Sequence, residues 1–287
     1  MTYNDIQNRK NKKNPNRRWG YEEVKKWCLG IKQTIPGEGV ARNEIPDYLF
    51  NGKKYSKREE LVQALIENWD EGKKQLFRGL LSQYFGMFDS GAFEICRKAE
   101  LTASHQSGKD DLIFWSTMYA LIPNTSVFFW KGRIYQNLPA LGRDMLEHLW
   151  KNNKSIDVFI SDLLNNSVIS EYIKLFEAKN TKMIRAVEGL ESSFRVNKSN
   201  REKLVIMYMT GYMLSGQKIL KMGDLNFRTL GELNEYMKNM ADNSFEDFQT
   251  FCHGLVDYEG NLDCQFESWL ITLGKTKEIE RWKQKMK

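Results

Sequence analysis

No run in this sequence is apolar for long enough to cross a bilayer. The longest largely apolar stretch, Leu204–Leu214, falls far short of the roughly 20 residues a spanning helix requires. The first residues are polar and basic, with no apolar core of a secretory signal, so a soluble cytoplasmic protein is expected. Cysteine is scarce: Cys28, Cys96, Cys252 and Cys264 follow no pairing pattern, and a chain of 287 residues can bury a core without covalent staples. A reducing compartment fits this usage. Histidine is scarcer still, with only His105, His148 and His253, the first read as lying in a polar loop and the second in a helix. Phosphate-loop, nucleophile-elbow and zinc-protease signatures are missing from the sequence.

What is present is a globular balance rich in rings. Hydrophobic residues make up 41%, charged residues 28% and aromatics 13%, which is far from a disordered composition. The net charge of +6 is unevenly placed. Arg9, Lys10, Lys12, Lys13, Arg17 and Arg18 face only Asp5, giving the first 18 residues about +5. The stretch from Lys275 carries about +4, so the body between is mildly acidic. The six basic N-terminal residues are the candidate nucleic-acid contacts, because such runs attract phosphate without regard to sequence.

A repeated pattern organises the chain. Tyr48-Leu-Phe-Asn-Gly-Lys-Lys-Tyr55 is followed by Leu61, Leu65 and Trp69; Phe128-Phe-Trp-Lys-Gly-Arg-Ile-Tyr135 by Leu141, Met145 and Trp150; and Ile219-Leu-Lys-Met-Gly-Asp-Leu-Asn-Phe227 by Leu233 and Met237. Each copy predicts a tight hairpin around a glycine feeding a helix. Ser56 with Glu59, Asn137 with Pro139, and Thr229 with Glu232 mark the helix starts. Further helical stripes follow: Gln75–Phe85, then Ile156, Phe159, Ile160 and Leu163, then Phe245, Phe248, Phe251, Cys252 and Leu255, all read as facing the core. Two helices apolar all round, Asp111–Leu121 and Glu202–Leu214, are expected to be buried between units.

The expected fold class is therefore mainly α, with three diverged repeat units of short β-hairpin plus helices packed as one elongated body. The boundaries read as a disordered basic tail over 1–17, an N-terminal helix and linker over 18–46, and units over 47–109, 110–197 and 198–287. Within 18–46, Tyr21, Val24 and Trp27 form an apolar stripe suited to capping the first unit.

Chemistry is harder to find. Cys252, His253 and Cys264 have metal-capable atoms, yet a structural zinc site wants four ligands, and the fourth is missing. Asp257 to Asp263 alternates oxygen side chains as a calcium loop does, but Ser268 stands where the bidentate glutamate belongs. Ser104-His105 and Gly37-Glu38-Gly39 match hydrolase and phosphate-loop fragments by spacing alone, and Glu246 and Asp247 read as a solvated helix face. Trp115, Phe128, Phe129 and Trp130 could stack bases, but lacking interleaved lysine or arginine they read as core, as do Met207, Met209 and Met213. No cofactor, no metal and no enzymatic activity are expected.

Arg18-Trp-Gly-Tyr-Glu-Glu-Val-Lys-Lys-Trp-Cys-Leu-Gly30, with Phe50-Asn-Gly-Lys-Lys-Tyr55 and Glu60-Leu-Val-Gln-Ala-Leu-Ile-Glu-Asn-Trp69, resembles the non-catalytic repeat region that follows the kinase domain in some bacterial eukaryotic-like serine/threonine kinases. The kinase signatures themselves are lacking. The resemblance implies a regulatory or protein–protein interaction module in bacterial or phage signalling, stress or defence. Two alternatives stand beside it. One is a nucleic-acid-associated defence or counter-defence protein using its basic termini. The other is a substrate or inhibitor of a protease or kinase, with Ile31–Pro46 and Ala103–Lys109 as the exposed segments.

Overall fold

A computed structural model describes residues 46–106, 108–151, 156–256 and 259–285. The basic residues Arg9, Lys10, Lys12, Lys13, Arg17 and Arg18, the Tyr21–Trp27 stripe and most of the Ile31–Pro46 linker lie outside the described residues. The architecture is mainly helical, with fourteen helices and three two-stranded antiparallel hairpins among the described residues. Among the described residues no helix is long and apolar enough to cross a membrane.

Packing divides the described residues into two compact units, the first holding those up to Thr125 together with Phe129–Arg133, the second holding Ser126–Phe128 and those from Ile134. The all-round apolar helix over 110–121, assigned from sequence to the second repeat, thus groups with the first.

In the first unit, strands β1 (Tyr48–Phe50) and β2 (Lys53–Tyr55) pair Tyr48 with Tyr55 and Phe50 with Lys53. Asn51 and Gly52 both take positive φ, the geometry of a type I′ turn, which matches the right-handed twist of its strands. Helices α1 (Arg58–Glu67), α2 (Trp69–Phe77), α3 (Leu80–Phe85), α4 (Ser90–His105) and α5 (Asp110–Leu121) follow. Leu61, Leu65, Leu76, Phe85, Cys96 and Phe114 form the fully buried centre. Trp69 packs edge-on to Phe114 at 4.8 Å and lies 5.5 Å from Trp130, while Tyr119 stacks on Phe129 at 4.2 Å. Trp115 donates its indole N–H to the Phe129 carbonyl. These rings are buried in the core, and Lys131 lies over the face of Trp130 at 5.7 Å.

The second hairpin, β3 (Phe128–Trp130) and β4 (Arg133–Tyr135), turns on Lys131 and Gly132, again both at positive φ. In the second unit, α6 (Leu138–Lys151) is capped by Asn137, which accepts from Ala140 N–H. It crosses α10 (Asn200–Ser215) at glycines: a Cβ on Gly142 would stand 2.4 Å from the Ser215 nitrogen, and one on Gly211 would stand 2.9 Å from the Leu146 side chain. Helix α10 is held from three sides. Tyr208 donates to the Leu149 carbonyl and Tyr212 to the Ile219 carbonyl, while Ser268 on α13 (Cys264–Thr272) donates to the Val205 carbonyl. Between these lie α7 (Val158–Asn165), α8 (Val168–Phe176) and α9 (Thr181–Val196). The third hairpin, β5 (Leu220–Met222) with β6 (Leu225–Phe227), pairs Leu220 with Phe227. Its glycine, Gly223, occupies the first turn position instead of the second, as in a type II′ turn. Helices α11 (Leu230–Asn243), α12 (Phe245–Gly254) and α14 (Thr276–Lys285) complete the unit.

Several local expectations need correction. Gln75–Phe85 is not one helix: it breaks at Arg78 and Gly79, where Gly79 is left-handed at φ 75°. Ser56 does not cap α1, whose N-cap is Lys57 without a side-chain bond, so that capping box is not formed. Thr229 does cap α11, and Glu232 reaches back to the Arg228 N–H. Of the third stripe, Leu255 is buried just past the end of α12, but no residue on α12 itself is buried and Phe245 is 65% exposed, the ring of this helix that packs on Phe227 and Tyr236 being Phe251. His105 is not in a loop but ends α4, which shortens the presumed exposed loop Ala103–Lys109 to its second half.

Candidate functional site

In the first unit a groove of about 910 Å³ lies between β1 and the α2–α4 segment. Strand alternation creates its rim: Tyr48 and Phe50 turn inward, which forces Leu49 outward, where it is 66% exposed. The opposite rim follows from the break at Gly79, which lets α3 fold back and leaves Met87 48% exposed beyond its end. The floor is aromatic, with the Tyr48 and Tyr84 rings 4.8 Å apart and Phe77 and Phe93 beside them. Tyr48 is fixed by donating its hydroxyl to Gln75, and burial pushes that hydroxyl's pKa up to about 12, so it stays a donor.

Charges of both signs edge this groove. Arg78 and Arg97 stand on one side of the ledger and Asp47 and Glu100 on the other. Arg97 donates to one oxygen of Glu100 at 2.6 Å, whereas the other oxygen is buried and finds no donor among the described residues.

Elsewhere the polar clusters serve the fold. Asp111, at the start of α5, accepts from Trp69 at 2.8 Å and Lys73 at 2.6 Å, and pairs with Lys131 of the second turn at 3.1 Å. Burial pushes its carboxyl up, but the bonds from Lys73, Trp69 and Lys131 together outweigh that and hold it below the ordinary value. Glu191 is fully buried on α9 and accepts from the Ser170 N–H in the first turn of α8. One turn on, Arg195 donates to the Leu164 carbonyl at the end of α7. The carboxylate thus meets a helix N-terminus and the guanidinium a C-terminus, each matching the local dipole across a turn where Ser167 sits at φ 57°. Burial nonetheless raises the Glu191 pKa, against the lowering bonds from Ser170.

His148 lies 3.7 Å from Asp144 and 3.8 Å from Asp157, too far for hydrogen bonds. A second cavity, about 430 Å³, opens in the second unit beside Trp150, over whose ring Lys221 sits at 5.0 Å. Among the described residues no three histidine, cysteine, aspartate or glutamate side chains converge as a metal site. His253 is exposed on α12, and Cys264 directs its thiol to the Arg201 carbonyl at 3.7 Å. The six basic residues proposed for nucleic acid lie outside the described residues. The groove was missed from sequence because a three-residue strand is too short for its alternation to reveal an outward leucine. Met87-Phe88 beyond a glycine was the one available signal.

No protein-family model matches the chain, and no curated protein or solved structure matches it either.

Proposed function

We propose that this chain is a non-enzymatic protein–protein interaction or regulatory module whose first unit offers the docking surface. The observation that carries this reading is the groove: exposed Leu49 and Met87 over an aromatic floor, with charges of both signs at its edge, of which Arg97 and Glu100 pair with each other. Apolar anchors inside a polar rim are how protein partners are held, and helical or extended peptides are the usual occupants of such a trough.

The module is read as three diverged copies of one hairpin-and-helix unit. Supporting this, α1, α6 and α11 each begin three residues after Tyr55, Tyr135 or Phe227. Leu61 and Leu65, Leu141 and Met145, and Leu233 and Met237 are buried at matching positions. The sequence resemblance to kinase-associated regulatory regions points to bacterial or phage signalling, stress or defence.

The test is co-purification from the native host with the full-length protein and with a Leu49→Asp/Met87→Asp variant. Both residues are exposed, so the variant should fold. A partner retained by the wild type and lost by the variant supports docking at the groove; an identical partner set from both refutes it. The rival nucleic-acid reading rests on the charge at residues 9–18 and predicts a salt-sensitive mobility shift that disappears when residues 1–18 are removed.

A further inference from the structure

We infer that the partner enters the groove as an extended peptide, which adds a third strand to the open edge of β1. The inference rests on the docking reading above and names the form its partner takes.

Three observations lead to it. The first is the register of the hairpin. Around the two-residue turn at Asn51 and Gly52, the flanking residues Phe50 and Lys53 form a hydrogen-bonded pair, and so do Tyr48 and Tyr55 two positions back. Leu49 and Lys54 are the pair between them, whose main-chain groups point away from the partner strand. The Leu49 N–H and C=O therefore face out along the edge of β1 that borders the groove, and among the described residues neither has a hydrogen-bond partner. An unpaired strand edge is a template for a further strand.

The second is what lies beside that edge. Successive side chains of a strand alternate between its faces. A peptide residue set opposite Leu49 places its own side chain on the outer face beside that leucine, while its two neighbours turn inward over Tyr48, Phe77, Tyr84 and Phe93. The groove thus reads two apolar side chains spaced two residues apart, with Met87 on the far rim.

The third separates this occupant from the others. A helix has already paired its main-chain donors and acceptors internally, so it lies in an apolar trough without using the Leu49 groups. A second copy of the chain offers its own β1, yet Tyr48 and Phe50 there are committed to their own core, at 9% and 2% exposure, and cannot fill a neighbour's floor. An extended peptide brings both the main-chain partners and free side chains. The edge is only three residues long, roughly 10 Å, so the two inward side chains matter as much as the backbone.

Selection of phage-displayed random linear peptides on the full chain tests this. The enriched peptides should carry large apolar residues two positions apart. Synthesised with a fluorescent label, they should bind the Leu49→Asp/Met87→Asp variant about tenfold more weakly or not at all, while hydrogen–deuterium exchange in α5 stays slow, which reports that the unit remains folded. N-methylation removes a main-chain donor and leaves every side chain in place. It should weaken binding about tenfold at alternate peptide residues and little at those between, and saturating peptide should slow exchange of the Leu49 amide. Groove-dependent peptides with anchors three and four residues apart, indifferent to N-methylation, overturn strand addition and leave the docking reading standing with a helical occupant. A Leu49 amide protected only in a concentration-dependent dimer overturns it in favour of a second copy. Recovery of no peptide that the variant fails to bind also overturns it; if co-purification then gives identical partners for wild type and variant, the docking reading falls too.

Discussion

Two glycine-to-alanine substitutions on helices of the second unit should have opposite signs. In Gly142→Ala the new methyl would stand 2.4 Å from the Ser215 nitrogen and 2.8 Å from the Leu214 carbonyl carbon, both backbone atoms that cannot swing aside. Helices α6 and α10 must separate, and overpacking of this kind costs about 3 kcal/mol. The better helix propensity of alanine returns about 1 kcal/mol, leaving a net loss of about 2 kcal/mol. In Gly189→Ala, on the exposed face of α9, the methyl meets nothing within 4 Å. Only the propensity acts there, stabilising by about 1 kcal/mol. Urea denaturation followed by circular dichroism measures both, and thermal melts should separate the variants by several degrees. Equal stability of the two variants would refute the claim that α6 and α10 meet through a glycine contact.

The remaining predictions concern buried charge and the basic N-terminus. Because the Asp111 carboxyl is held below its ordinary value, its contribution is present above the unfolded pKa and lost as pH falls through the folded one. Asp111→Asn should flatten the acid limb of the stability curve and cost about 2 kcal/mol at neutral pH, measured by denaturation at stepped pH. Glu191 has the reverse sign. Its raised pKa means that folding favours the protonated form, so its contribution is present below the unfolded value and lost as pH rises through the folded one. Glu191→Gln keeps an acceptor for the Ser170 N–H and should be at least as stable as wild type at pH 7, an advantage that vanishes near pH 4; a variant clearly less stable at pH 7 would contradict this. If residues 9–18 contact nucleic acid, a gel shift at low salt should be abolished by deleting residues 1–18, whereas no shift at low salt discards that role.

The fold was legible where the pattern was long. The apolar helices over 110–121 and 200–215 and the three glycine turns announce themselves, because burial on all sides and positive φ leave few alternative residue choices. It was illegible where tertiary context outweighs local preference. Nothing between Gln75 and Phe85 forbids a continuous helix except Gly79, whose conformation is set by the need to fold α3 back. Phe245, Phe248 and Phe251 share the period of a core stripe, yet lie at the unit's edge, since periodicity reports which residues share a face and not what covers it. The groove was hidden for the same reason: outward Leu49 and Met87 become meaningful only once the strand and the helix break are placed side by side.

Methyl spectra of the full chain labelled at methionine would test the groove most directly, because Met87 sits at its rim while Met118 and Met207 are buried and serve as internal references. Docking at the groove predicts that the co-purified partner shifts the Met87 methyl, that Leu49→Asp abolishes the shift, and that the two core methyls stay in place. A Met87 signal that the partner leaves unmoved would contradict the account.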